Sequence, residues 1–350
     1  MPSVWAGATT LEKQGAPALW SKFGGHVARM ERYISARSIE WSAFNPSLCI
    51  AETGDTLVAV RSSNYVILEH GELHVSTGGP IRNRVYIADL EHKPGKKPAL
   101  DSWSLRNYRR VSFDDAARET GMRVDRGIED AKLYRRDGKW MMTGVLLERG
   151  HTPVARQVTC ELEIEARKAR AVTMVKHPGA LSVKPEKNWM APMYEHSKQF
   201  DFIYGPYAVI RSGELITALG HDDDWALGLR GNTHLIPWAE VEVGEKGRNG
   251  GYLGVMHRLL TKRGKMWDSR RFGNVDFCHK DYHHFLARFD ESGNITAISE
   301  PFQFAGAGIE FAAGIGVRDG NLVVTLGRGD IESWVAWLPV SKVPRLLRTV

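Results

Sequence analysis

The chain has 350 residues, 43% of them apolar and 25% charged, with a formal net charge of +6 at pH 7. That length can bury a sizeable core, and the composition is ordinary for a folded globular protein, which excludes disordered, collagen-like and multi-span membrane chains. The basic excess lies in short runs such as Lys93-Pro94-Gly95-Lys96-Lys97, interleaved with acids. It reads as a solvated surface with a mild preference for anions, without the stripe of a nucleic-acid binder. Cys49, Cys160 and Cys278 are far apart and lack C-x-x-C spacing, so neither a disulfide framework nor a cysteine zinc site is expected. No basic region followed by an apolar run opens the chain, and no stretch approaches the roughly 20 apolar residues of a spanning helix. The expectation is a cytoplasmic protein with no membrane partner.

In chain order, the first element is a short helix within 18–34, broken at Gly24-Gly25, and Ser112 starts one or two helical turns over 112–119. Elsewhere short apolar or alternating runs are bounded by Gly, Asp and Asn, the pattern of strands and turns. Five hairpins are read: 48–51 with 57–61, 131–134 with 140–147, 189–193 with 200–204, 233–238 with 252–257, and 311–317 with 322–326. With no long helix between them, a βαβ layout is disfavoured. Their spacing of about 66 residues is long for a WD-type blade of about 40–45, but suits a four-stranded blade with long loops. Polar groups precede each first strand: Asn45, Asp130, Lys187, Asn232 and Glu310. In a propeller the inner strands line one channel, so these side chains would face a common funnel.

Several residues there could carry chemistry. Glu129-Asp130 offers a carboxylic acid to protonate a glycosidic oxygen beside a second negative charge that would help it keep its proton. Neighbours on a strand point to opposite faces, so only one of the pair looks into the funnel. Lys187 beside Trp189 could hold an anion, with the indole as a platform for a sugar face. His279, His283 and His284 have a spacing that invites zinc, but adjacent histidines on a strand diverge, so no metal is expected and His257 reads as a hydrogen-bonding group. Asp330, in the Gly327-Arg328-Gly329-Asp330 turn, could also reach the funnel. No G-x-S-x-G elbow, Walker loop or dinucleotide fingerprint occurs.

Together these pieces resemble glycoside hydrolase family 130, the β-mannoside phosphorylases and related mannosidases. The resemblance rests on Phe44-Asn45-Pro46, Gly127-Ile128-Glu129-Asp130, Glu186-Lys187-Asn188-Trp189, Gly251-Tyr252-Leu253-Gly254-Val255-Met256-His257, Tyr282-His283-His284 and Glu310-Phe311-Ala312-Ala313-Gly314. It implies an all-β, five-bladed β-propeller, here over 41–350, with 1–40 as an N-terminal extension packed on it. By the resemblance Asp130 matches the general acid, Glu129 is a sugar contact, and Asn45 and Arg61 lie at the glycone subsite. Trp189, Tyr282 and His283 are further substrate contacts, and Lys187 and His257 lie near the phosphate or water. The chain departs from the family's Glu-Asp-Pro-Arg by carrying Ala131-Lys132, which points to a divergent branch.

The expected activity is inverting cleavage of a β-mannoside or related β-glycoside, in an oligosaccharide or small glycoside, by a possible homo-oligomer. Lys187, Arg61, Arg156 and His257 favour phosphorolysis, with inorganic phosphate as co-substrate and no other cofactor. Glu310 and Asp330 would be the bases for hydrolysis. The alternatives are a non-catalytic carbohydrate-binding propeller and a nucleic-acid-binding propeller, the latter marked by steep salt dependence.

Overall fold

Short apolar runs joined by Asp-Gly pairs fold as tight antiparallel hairpins. Asp137-Gly138 and Asp319-Gly320 each link directly paired strands, Arg136 facing Lys139 and Arg318 facing Asn321. All four turn residues have φ between 49° and 72°, the left-handed pair that a two-residue turn needs to match strand twist. The computed structural model describes residues 18–32, 41–51, 53–67, 73–75, 79–97, 101–115, 125–147, 155–175, 187–193, 200–204, 208–211, 214–218, 228–242, 250–268 and 273–350. Within them each of the five hairpins read from sequence is an antiparallel pair.

The protein is all-β in a propeller-like arrangement. Four sheets are regular blades. The first runs from Ser42–Ile50 through Thr56–Ser63 and Asn83–Lys93 to Ser102–Arg110, with Glu31–Arg32 on its edge. The second comprises Glu129–Arg136, Lys139–Leu147, Ala155–Glu163 and Lys168–Met174. The third comprises Trp189–Met190, Phe202–Tyr204, Ala208–Arg211 and Glu214–Ala218. The last in the chain comprises Glu310–Arg318, Asn321–Arg328 and Glu332–Pro339, completed by the N-terminal strand His26–Arg29. Between the third and last lies a branched eight-stranded sheet built on the long hairpin Tyr252–Asp268 and Gly273–Phe289.

First strands of neighbouring sheets pack on one another, so Ser42–Ile50 and Glu310–Arg318 are buried along nearly their whole length. Polar bonds cross between sheets at this axis. The Leu133 amide donates to Ser47 Oγ at 2.9 Å, Thr325 Oγ1 donates to the Pro46 carbonyl at 2.6 Å, and Lys132 Nζ donates to the Trp189 carbonyl at 3.1 Å. Each satisfies a buried group that would otherwise cost about 1–3 kcal/mol.

The helix expected within 18–34 does not form in 18–32. One 3-10 turn, Trp20–Phe23, lies between short strands, and the buried Trp20 indole donates to the Trp337 carbonyl at 3.2 Å. This segment is drawn out by pairing: Ala18–Leu19, His26–Arg29 and Glu31–Arg32 join three different sheets. Ser112 caps only a turn, accepting the Asp114 amide at 3.2 Å, and 116–119 of that expected helix lie outside the described residues. Among the described residues no helix is long and apolar enough to cross a membrane.

Candidate active site

Three first-strand starts share one backbone device. Asn45, Asp130 and Asn188 have φ of 49°, 48° and 67°, a region that Asn and Asp tolerate better than other side chains. At Asn45 and Asp130 the ladder register also shifts, the mark of a β-bulge, which re-aims a side chain out of strict alternation. The carboxylate of Asp130 is thereby turned toward Arg61 on the neighbouring sheet.

Arg61 organises the site. Its Nη1 donates to Asp130 Oδ1 at 2.9 Å, its Nε to Asn83 Oδ1 at 2.8 Å, and its Nη2 lies 3.8 Å from Glu129 Oε1. The guanidinium sits 5.2 Å from the Phe44 ring centroid and 5.7 Å from that of Tyr65. Burial works to raise the Asp130 carboxyl, but Arg61 with Lys187 and Lys132 outweighs it and holds the group below the usual carboxylate range. Asp330 takes the opposite direction. Burial and the negative charge of Asp130 lift its carboxyl despite Arg61, and Tyr65 donates to its Oδ2 at 3.0 Å. Two carboxyls in one electrostatic field are thus driven apart, the arrangement that separates acid from base roles.

Tyr282 joins from the branched sheet. Its hydroxyl is raised by burial and by Asp330 and Asp130, and its ring stacks on His257 at 5.1 Å. His257 is 2% exposed, and burial with His284 and Lys132 keeps it neutral, so it offers hydrogen bonds and no charge. Arg230 bears on both His257 and Tyr282. Among the described residues no group of three or more His, Cys, Asp or Glu side chains is placed to hold a metal ion. The neighbouring histidines His279, His283 and His284 lie on one strand, and the side chain of His279 lies outside the described residues.

The structure thus brings together Arg61, Glu129, Asp130, Lys187, His257, Tyr282 and Asp330 from the sequence reading. Asn45 lies beside them at the seam between the first and last sheets, where a Cβ on Gly327 would sit 1.9 Å from Asn45 Oδ1. Gly327→Ala is therefore expected to displace Asn45 and lower stability by about 1–3 kcal/mol, read as a fall in Tm, since the new Cβ would also lie 2.7 Å from the Asn45 backbone N, which has no flexible end to yield. Asn232 is fully buried, and both polar atoms of its side chain lack a protein partner.

Four expectations change. The Trp189 indole is fully buried against Phe202 and Tyr204, so it is a core residue with no free face for a sugar. Glu310 is also fully buried, and both its oxygens accept backbone amides, of Phe304 and Ala305, each at 2.8 Å, so it is not a free base. His284, not His283, shares a strand face with Tyr282, because alternate residues point the same way. Arg156 sits on the third strand of its sheet opposite Leu146, two strands out from Asp130.

Sequence reasoning missed Tyr65 as the partner of Asp330 and gave Lys132 no place in the site. Lys132 is 2% exposed, and burial pulls its ammonium down to about 7. Its signal was the substitution of Lys for Arg two residues after the Asp; Tyr65 carried none.

Similarity to known proteins follows the fold. No protein-family model matches the sequence, and no curated protein matches it significantly. Solved structures do. A protein assigned to the glycoside hydrolases from Parabacteroides distasonis has a TM-score of 0.51 at 13% identity, over 85% of this chain and 87% of that one. One from Bacteroides ovatus has a TM-score of 0.51 at 14% identity, over 86% and 87%. A member of glycoside hydrolase family 130 described as targeting β-1,2-mannosidic linkages in Candida mannan has a TM-score of 0.48 at 14% identity, over 85% and 84%. At such identities the first two matches establish a shared fold.

Proposed function

We propose that the chain is a divergent relative of glycoside hydrolase family 130 that cleaves β-mannosides or related β-glycosides with inversion. The observation that carries this is the pair of carboxylates in the field of Arg61, the buried Asp130 bonded to it and the half-buried Asp330 bonded to Tyr65, with opposite shifts and cations at hand. In this reading the branched sheet serves as the fifth blade of a propeller spanning 41–350. Beside it, Met193 N, just past the first strand of the third sheet, donates to the Leu235 carbonyl at 2.8 Å, and Tyr282 N donates at 3.2 Å to the carbonyl of Gly308, in the segment leading into the last sheet. The segment 1–40 is the extension, its residues 18–32 supplying edge strands.

Inverting cleavage needs a proton for the departing oxygen and a nucleophile on the opposite face of the sugar. Asp130, by its resemblance to the family's acid, donates the proton. It is ionised while Arg61 holds it, so substrate must weaken that pairing and load a proton before cleavage. A second reading gives the proton to Asp330, favoured by its raised carboxyl. Phosphate is the favoured nucleophile, held by Lys187 with Arg230 and hydrogen-bonded by His257 or Tyr282.

The test is a panel of β-mannosides incubated with and without phosphate. Sugar 1-phosphate of inverted configuration, formed only with phosphate, is the expected product. Free sugar at equal rate without phosphate would mean hydrolysis, and binding without either product would mean a sugar-binding propeller. Lys187→Ala is expected to raise the phosphate KM about tenfold to a hundredfold with little change in the glycoside KM, because it removes a charge-assisted contact worth about 1.5–3 kcal/mol.

A further inference from the structure

The segment 304–309 links the short strand Phe302–Gln303 to Glu310–Arg318, and three of its anchors come from the site region. Glu310 accepts the Phe304 amide on Oε2 and the Ala305 amide on Oε1, both at 2.8 Å. Asp281 Oδ1 accepts the Gly308 amide at 2.9 Å, and the Gly308 carbonyl accepts the amide of Tyr282 at 3.2 Å. The Ile309 carbonyl accepts the Gly329 amide at 2.9 Å, one residue before Asp330. Between these anchors Gly306 and Gly308 have φ of 123° and 125°, with no atom within 4 Å of a Cβ built on either. Phe304 is anchored by its ring, which is buried against Trp20 and Phe302, but from Ala305 to Ile309 the strap is half-buried or exposed and has little packing of its own to hold it.

We propose that Glu310 is a positioning residue: its carboxylate clasps the strap 304–309 and thereby holds Tyr282 and Asp330 in place at the site. The role deepens the glycoside-cleaving reading and rests on it for its effect on turnover, but the clasp itself does not. Two amides aimed at two oxygens of one carboxylate are held most strongly by the ionised form. A protonated acid leaves one of them on a weakly accepting hydroxyl oxygen, and a glutamine sets a donor NH2 against one N–H permanently.

The groups facing Glu310 are few. Arg328 lies directly opposite on the neighbouring strand and favours its charge, while from the branched sheet come Asp281, on the strap's far end, and His284, whose ring lies 4.8 Å from that of Phe304. Burial raises the Glu310 carboxyl to about 7 against the pull of the Ala305 and Phe304 amides and of Arg328, and burial holds His284 down at about 3. The clasp is then complete above pH 7 and is lost as pH falls through it. Stability runs the other way. Between the ordinary carboxylate range and 7 the native state binds more protons than the unfolded chain, so this group's contribution declines as pH rises.

The experiment is hydrogen exchange of the full chain from pH 6 to 8, read as protection factors at Phe304, Ala305, Gly308, Tyr282 and Gly329, for wild type and Glu310→Gln. In wild type, protection at these amides should fall about tenfold on going from pH 8 to 6. In Glu310→Gln it should be low and independent of pH, with Tm at pH 8 unchanged or higher, since a buried charge has been removed. Glu310→Asp, which keeps the charge, should restore part of the pH dependence. The kcat/KM for a cleaved β-mannoside should lose its limb near pH 7 in Glu310→Gln and fall about tenfold at pH 8. Unchanged protection at Tyr282 and Gly329 in Glu310→Gln would overturn the proposal. So would a limb near pH 7 that persists in that variant, which would belong to Lys132 on the adjoining sheet. If wild type cleaves no glycoside, the functional reading falls while the exchange data still decide the clasp.

Discussion

Asp130→Asn is expected to lower kcat/KM for an unactivated β-mannoside by about 10²–10⁴-fold, the usual contribution of a positioned proton donor. The fold should survive, because Asn keeps an oxygen for Arg61 Nη1, now 2.9 Å from the carboxylate, and is the other residue that readily takes φ near 48°. An aryl β-mannoside with an acidic leaving group separates the two possible donors. Such a group departs without a proton, so the variant lacking the true acid retains turnover on it while losing the natural substrate. Retention by Asp130→Asn supports Asp130 as the acid. Retention by Asp330→Asn, with Asp130→Asn dead on both substrates, would transfer the proton to Asp330 and leave Asp130 as an ionised anchor for sugar hydroxyls. Equal, small effects of both changes would remove the catalytic reading.

Part of this site was legible in the sequence because its signals are local. The Asp-Gly turns fix hairpins by the φ they demand, and Asn45, Asp130 and Asn188 stand at strand starts as the residue types that accept a left-handed backbone. The Glu129-Asp130 pair was visible for the same reason. What could not be read depends on contacts between distant segments. Tyr65 meets Asp330 across 265 residues, and the N-terminal strand His26–Arg29 completes the sheet ending at Pro339. Glu310 has the residue type of a base, and nothing in its neighbours in sequence says that both oxygens turn back onto the amides of 304 and 305. Trp189 likewise has the residue type of a sugar platform, and only the packing of Phe202 and Tyr204 decides that it is core. The branched sheet also escaped, because its extra strands, Ala18–Leu19 and Leu347–Thr349, come from opposite ends of the chain.

Arg61→Leu is expected to cost about 3–5 kcal/mol at pH 7.5, since it leaves Asp130 as a buried carboxylate without the guanidinium bonded to it, with only the more distant charges of Lys187 and Lys132. The side chains of this pair are only 6% and 11% exposed, so solvent does little to screen the loss. The deficit should depend on pH with a definite sign. In wild type the lowered Asp130 carboxyl contributes stability above its unfolded value, and that contribution disappears as pH falls through the folded value. Without Arg61, only the weaker pull of Lys187 and Lys132 opposes burial and the carboxyl rises, so acid relieves the variant by protonating it while it progressively weakens wild type. Denaturant unfolding at pH 7.5 and 5 should therefore show the gap narrowing toward acid. Asp130→Asn added to Arg61→Leu should recover much of the loss at pH 7.5, because the stranded charge is gone, leaving mainly the unpaired Asn83 Oδ1 to account for. A gap that is constant with pH, or a double variant as unstable as the sum of its parts, would mean that Arg61 supports the fold by packing between Phe44 and Tyr65, and that Asp130 does not owe its charge to it.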